Sequence, residues 1–354
     1  MVHSCRALYR ETGRGATKKG LRHCPFTPLP YTPRMSTHPV LARLSAYGCA
    51  AAWLGLLVTL LGFFGSASWT LDLFSHFRFQ YGMGLATVGL LLAVLRKFIS
   101  VAVCAVGCAI NAALLAPLFW GSPAPLPSDE SPSRAMLFNV NTHAGDATAA
   151  LTVIRHADPD ILLLQEVNRT WLTELAILHD AYPHRIAVPR DDNFGIALFG
   201  KWPLEQPSSL FIGPSEIPSL TATVTTPDGP LAFVGTHPLP PVSAHYAHSR
   251  DAQLAALPQH VDSSRATLLL GDLNITPWHP RFRQLARDAG LRDSTRGFGY
   301  QPTWPNNIYP FRIPLDHALV SAPVRIHDRI IAPPGGSDHR ALVLDFSIQR
   351  PPGE

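Results

Sequence analysis

Residues Thr267–Trp278 read TLLLGDLNITPW. A run of strand-forming and apolar residues ends on Gly271 and is followed by Asp272 and, two positions later, Asn274. Burying such side chains without partners costs roughly 1–7 kcal/mol, more for an ionised acid, so their place at the end of an apolar strand needs a cause. A plain turn is one cause, because Asp and Asn are common turn residues. A functional site is the other, and the rest of the chain decides between them.

The same arrangement recurs along residues 134–350. Alternating strands and helices are expected. AMLFNV, DILLLQ, FGIALFG, LTATVTT, LAFVGT, ATLLLG, HALVS, VRIHDRII and ALVLDFSI read as strands, and residues 146–156, 170–179, 243–260 and 280–289 as helices. Strands outnumber helices, which suggests one α/β domain of two packed sheets with helices outside. Asn139 and Asn141 follow the first strand, Gln165 and Glu166 the second, and His237 follows LAFVGT. Asp316 precedes HALVS, while Asp338 and His339 precede ALVLDF. One polar strand end is a turn; six of them point to side chains converging on one edge of a rigid scaffold.

That set limits the chemistry. Carboxylates and amides without cysteine suit a hard cation such as Mg²⁺ or Mn²⁺. A histidine beside acids can donate to a phosphoryl oxygen, and an Asp can take a proton from water. The chain has no G-x-S-x-G, H-E-x-x-H or G-x-x-x-x-G-K-[ST] motif, which disfavours serine hydrolases, zincins and P-loop enzymes.

The first third of the chain has another character. Residues 1–43 carry eight Lys/Arg against Glu11 alone and read as a disordered basic arm, within which Met35 is a second candidate start. Residues 44–120 hold three long apolar runs, AYGCAAAWLGLLVTLLGFFGSA, FQYGMGLATVGLLLAVL and FISVAVCAVGCAINAALLAPLFW, read here as three transmembrane helices. The basic arm and the Arg96–Lys97 turn belong inside by the positive-inside rule. This puts the N-terminus in the cytoplasm and the domain after Trp120 on the other side, periplasmic in a Gram-negative host. Residues 121–133 read as a Pro/Ser linker that lifts the domain off the bilayer. All five cysteines precede Trp120, so the outer domain needs no disulfide. Residues 121–354 carry 18 Lys/Arg and 23 Asp/Glu, a net charge near −5, which argues against a general nucleic-acid binder.

In order and spacing, FNVN, LLLQEV, GTHP, LLLGDLN, PLDHALVS and SDHRALV resemble the endonuclease/exonuclease/phosphatase family, the DNase I-like metal-dependent phosphoesterases. The outline of three spans and one domain looks like a membrane-anchored bacterial branch of it. The resemblance implies a two-sheet α/β sandwich and a hydrolase acting by in-line attack of water on phosphorus. It implies Glu166 as principal metal ligand with Asn139 and Asn141 close by, and Asp338 near the metal. Asp272 would position or deprotonate the water, and Asn274 would hold water and phosphate. His237 and His339 would contact the phosphate, with Asp316 orienting His339. Asn193 and Trp304 are candidate substrate contacts, Trp304 slightly more so as packing. His143, His245 and His248 read as surface residues and Leu198, Phe199 and Trp202 as core. The chain departs from the family at Asn141, where some relatives have Asp, and at Pro314, where an Arg is usual two residues before Asp316. Nucleic acid, a phospholipid headgroup as in sphingomyelinase-like relatives, and small phosphoesters all remain substrates, a non-catalytic phosphoryl-binding role is the alternative, and the oligomeric state is open.

Overall fold

The computed structural model describes residues 39–126 and 131–349. Most of the basic arm, with Met35, Cys5 and Cys24, and part of the Pro/Ser linker lie outside the described residues. Everything described from Arg43 onward belongs to one compact unit.

The described residues before the linker are helical: α1 (Pro39–Leu61), the short α2 (Trp69–Asp72), α3 (Arg78–Val94) and α4 (Phe98–Phe119). The helical stretch Pro39–Phe64 has 26 residues and α4 has 22, each long and apolar enough to cross a membrane. At 1.5 Å per residue they reach at least about 33 Å against a hydrocarbon core of about 30 Å. The third expected span differs: α3 is joined to the α2 segment through a 61° bend, so the pair is either a broken span or a re-entrant loop. Leu85 of α3 packs where Gly55 and Gly107 leave room for it, and Ala52, Leu92, Val103 and Cys104 complete the contact.

The remainder is a sandwich of two six-stranded sheets. Its strands are β1 (Ser133–Asn139), β2 (Ile161–Gln165), β3 (His184–Val188), β4 (Ile196–Gly200), β5 (Leu204–Phe211) and β6 (Pro218–Thr226). They continue with β7 (Gly229–Gly235), β8 (Thr267–Asp272), β9 (Arg292–Asp293), β10 (Asp316–Val320), β11 (Val324–Ile331) and β12 (Leu342–Ile348). One sheet runs β11-β12-β1-β2-β4-β3 and the other β5-β6-β7-β8-β10-β9. Only β1–β2 and β7–β8 pair in parallel.

Period-two alternation explains the layers. Leu137, Leu163, Leu198, Leu268 and Leu270 point between the sheets. Met136, Phe138, Leu162, Leu164 and Phe199 point the other way, under α5 (Ala147–Ala157) and α6 (Arg169–Glu174). Leu269 likewise faces α7 (Ala244–Ala256) and α8 (Pro280–Asp288). The unbroken apolar run of β8 is thus buried on both faces.

Three strands escape the hydrophobic pattern. β3 and β5 are edge strands with alternating or continuous exposure, β5 contains Pro207, and β9 has two residues. Solvent-facing edges carry weak apolar signals and tolerate proline. The linker also differs from expectation. The Ala124 N–H donates to Ile326 O, and the Gly297 and Gly299 N–H groups donate to Leu118 O. The domain therefore packs directly on the helices. An extended Pro/Ser segment has free backbone groups, and here Ala124 spends them on β11.

Candidate active site

The expected residues meet where the C-terminal ends of β1, β2, β7 and β8 lie side by side. In register, Asn139 pairs with Gln165 across β1–β2, and Asp272 faces Asp316 across β8–β10. Gln165 ties the two sheets together: its Nε2 donates to Thr236 O (2.8 Å) and its Oε1 accepts from the Asp272 N–H (3.0 Å). Gly271 is required here, because a Cβ would lie 2.1 Å from Thr236 O. Glu166, Asn141, Asn193 and Asn274 all have positive φ, between 51° and 68°. Such backbone costs about 1–3 kcal/mol per residue and persists where the surroundings dictate it. At Glu166 it turns the carboxylate back toward β1.

The side chains interlock. Asn139 Nδ2 donates to Glu166 Oε1 (2.8 Å) and lies 3.4 Å from Asp272 Oδ2. Asp272 Oδ2 is 3.5 Å from Nε2 of both His237 and His339. His339 Nδ1 is 2.9 Å from Asp316 Oδ2, and Asp272 Oδ1 accepts from the Asn274 N–H (2.9 Å). Asn139, His237, Asp272, Asp316 and His339 are all buried.

Burial disfavours charge on His339, yet the Asp316 and Asp272 carboxylates win and carry its pKa up to about 10. Burial opposes His237 in the same way, but Asp272 and Glu166 raise its pKa. Burial pushes Asp272 up, and the two imidazoles bring it down to about 2. At neutral pH the centre holds an ionised Asp272 between two histidines that favour the charged form.

Asn141 and Asp338 sit one step out. Asn141 Nδ2 donates to Asp338 Oδ1 (2.8 Å), and its Oδ1 accepts from the His143 and Ala144 N–H groups. Both polar ends of Asn141 are therefore engaged by the loop. Trp304 Nε1 donates to the other Asp338 oxygen (3.0 Å), and its ring lies 6.3 Å from that of His339. Asn193 lines the cavity with a buried Oδ1 that has no protein partner among the described residues. His143, His245 and His248 are exposed, as expected.

Two residues with structural roles carry no strong sequence signal. Ser337 donates to Asn139 O (2.7 Å) and accepts from the His339 N–H. Thr303 Oγ1 lies within 3.4 Å of the Leu315 and Asp316 N–H groups. Both are small hydroxyl residues in loops.

The donor set fits a hard cation. Glu166 and Asp272 bring two carboxylates to one amide, Asn139, and the described cysteines all lie in α1 and α4. A second buried cluster, Asp272, Asp316 and His339, also has ligating atoms within 4.8 Å of one another. In that cluster His339 Nδ1 is taken up by Asp316 (2.9 Å), and its Nε2 faces Asp272 (3.5 Å).

A cavity of about 570 Å³ opens over these groups, with Glu166, Asn193, His237, Asp272, Asn274, Asp338 and His339 on its floor. Its outer wall includes Leu73, His76 and Phe77, from the segment joining α1 to α3. That segment is fastened by a buried ionic cluster. Asp72 Oδ2 accepts from Arg250 (2.7 Å), and Asp72 Oδ1 lies 2.8 Å from His279 Nε2 and 3.6 Å from His76 Nε2. Arg250 also donates to Asn274 O (3.2 Å), His76 Nδ1 is 3.3 Å from Thr276 Oγ1, and Trp278 Nε1 donates to Ser75 O (2.6 Å). Asp72, His76 and Arg78, the ionisable residues between the first two apolar runs, are buried.

Known proteins match this chain in two ways. Among solved structures, an endonuclease/exonuclease/phosphatase from Beutenbergia cavernae superposes with a TM-score of 0.52 at 22% identity, over 64% of this chain and 74% of that one. The human Nocturnin catalytic domain with bound sulfate gives 0.53 at 20%, over 63% and 96%. D. rerio TDP2 complexed with single-strand DNA product gives 0.51 at 17%, over 62% and 100%. At these identities the likeness establishes a common fold, the DNase I-like sandwich. No curated protein matches by sequence. The model of the Endonuclease/Exonuclease/phosphatase family matches residues 136–339, more than half of the chain. The protein therefore belongs to the endonuclease/exonuclease/phosphatase family, whose fold is that of phosphoesterase and nuclease-type hydrolases.

Proposed function

We propose that the protein is a membrane-anchored phosphoesterase that depends on Mg²⁺ or Mn²⁺ and hydrolyses phosphodiester bonds outside the cytoplasm, through a catalytic domain spanning residues 134–350. The observation that carries this reading is the meeting of Glu166, Asn139, Asp272, His237 and His339 over one cavity, although they are distant in sequence. The apolar helices and the positive Arg96–Lys97 turn support anchoring with the N-terminus inside.

Glu166 would hold the cation, with Asn139 and Asp272 beside it and Asp338 further out. A bound Mg²⁺ or Mn²⁺ would neutralise charge on a phosphoryl oxygen. Asp272, kept ionised by its two histidines, accepts a hydrogen bond from water and aims it at phosphorus. As the oxygen–phosphorus bond forms, the opposite ester bond breaks and the water proton passes to Asp272. His237 and His339 donate N–H groups to the phosphoryl oxygens, and one of them can protonate the departing alkoxide. Asp316 fixes the ring and charge of His339. Asn274 braces Asp272 and the water, while Asn193 and Trp304 face the substrate.

The test is hydrolysis of bis-p-nitrophenyl phosphate by the full chain in detergent with Mg²⁺ or Mn²⁺. Turnover abolished by EDTA and by Asp272→Ala supports the reading. No turnover with any divalent metal overturns it.

A further inference from the structure

Above the polar floor the cavity wall carries, beside His76 and Asp192, six apolar residues: Leu73, Phe77, Pro240, Pro241, Val242 and Tyr246. Two of these six residues come from the α1–α3 connection. At the rim the apolar side chains stay open to solvent, Leu73 to 42% and Val242 to 67%. Among the described lining residues there is no Lys or Arg. A nucleic-acid backbone is gripped chiefly by cations, so this wall offers a polyanion little. An apolar chain gains from it, by about fourfold in affinity per buried methylene.

The wall is not a loose flap. Asp72, one residue before Leu73, is held by Arg250 and His279, and Trp278 and Thr276 fasten Ser75 and His76. Those four partners lie in the middle of α7 and in the chain just after Asp272, so wall and floor are braced by the same backbone. The other ends of this wall segment run into α1 and α3, the apolar helices proposed to sit in the bilayer. Next to α3, where Gln80 Nε2 donates to Arg312 O (2.7 Å), the neighbouring turn exposes Ile308, Tyr309 and Phe311. The cavity mouth is thus continuous with surfaces suited to lipid.

We propose that the site takes a bilayer-resident phosphodiester whose apolar chain lies along Leu73, Phe77 and Val242 while its phosphate reaches the floor. This rests on the phosphoesterase reading above. Leu73 and Phe77 are then specificity residues supplied by the membrane-proximal connection.

The full chain in lipid nanodiscs with Mn²⁺ is given methyl p-nitrophenyl phosphate, hexadecyl p-nitrophenyl phosphate and a single-stranded oligodeoxynucleotide. The hexadecyl ester should exceed the methyl ester in kcat/KM by at least about 100-fold. Leu73→Ser/Phe77→Ser should cut that ratio at least about tenfold in the same nanodiscs, where substrate partitioning cancels. Val242→Ser, at an exposed position that cannot unfold the domain, should cut it about threefold. Equal kcat/KM for the two esters, a ratio unmoved by the substitutions, or preference for the oligonucleotide overturns the inference while leaving the phosphoesterase reading intact. No turnover of any of the three, with any divalent metal, overturns both.

Discussion

The protein buries two clusters of acids and histidines, and the chain from Asp272 to His279 connects them. Around Asp72, both carboxylate oxygens are partnered: Arg250 takes one, and His279, His76 and Ser75 crowd the other. Around Asp272 the bookkeeping is left open, with His237 Nδ1, Asp316 Oδ1 and Asn193 Oδ1 buried and without protein partners among the described residues. The first cluster pairs its charges among its own members, with His279 Nε2 left without an aligned hydrogen bond among the described residues, and fastens the α1–α3 connection to the domain. The second borders the cavity and keeps hydrogen-bonding capacity in reserve, which is what a reacting phosphate requires.

The comparison predicts opposite phenotypes. Asp272→Ala should lower kcat by about 10³-fold or more with the fold intact, checked by steady-state kinetics and a thermal melt. Asp72→Ala should act on stability, because it removes the buried one of the two carboxylates, Asp72 and Asp251, that pair with the Arg250 guanidinium. A loss of about 1–3 kcal/mol is expected in denaturant titration of the full chain, largely restored in an Asp72→Leu/Arg250→Met pair. If Asp72→Ala leaves stability unchanged, the distinction between a closed and an open cluster fails.

A smaller effect sharpens the electrostatics. The pKa of His339 rises on folding from an ordinary value near 6.5 to about 10. Its contribution to stability is therefore full below pH ~6.5 and lost as pH climbs through about 10. Melts of metal-free protein should fall across that window, and His339→Gln should flatten the slope. Asp272 has the opposite sign: its depressed pKa stabilises above pH ~3.8 and is lost as pH falls through about 2. Least affected should be a partly exposed pair. Lys201 sits 2.9 Å from Asp158, which is largely exposed, and Lys201→Ala should cost under about 1 kcal/mol.

The convergence of side chains around Asp272 was legible in the sequence and the ionic latch was not, for a physical reason. Asp272, Glu166, His237 and His339 each abut an apolar strand of clear pattern, so their places at one sheet edge follow from the strands. Asp72 pairs with Arg250 from 178 positions away, with no periodic signal on either side. One clue was present: Asp72 is the single acid between Glu11 and Asp129, set among apolar runs. An ionisable group so placed calls for a partner. Gln165 was visible as a strand-end residue, but its bridging of the two sheets depends on where β7 and β8 lie. The edge strands β3 and β5 were lost because their outward faces are wet.

The central claim, that distant strand ends build one cation-dependent phosphoryl site, is tested most directly by calorimetric titration of Mn²⁺ into the full chain and into Glu166→Gln. Saturable binding to the native protein, weakened at least about tenfold in the variant, is the predicted result. Equal binding by both proteins, or none by either, would contradict it.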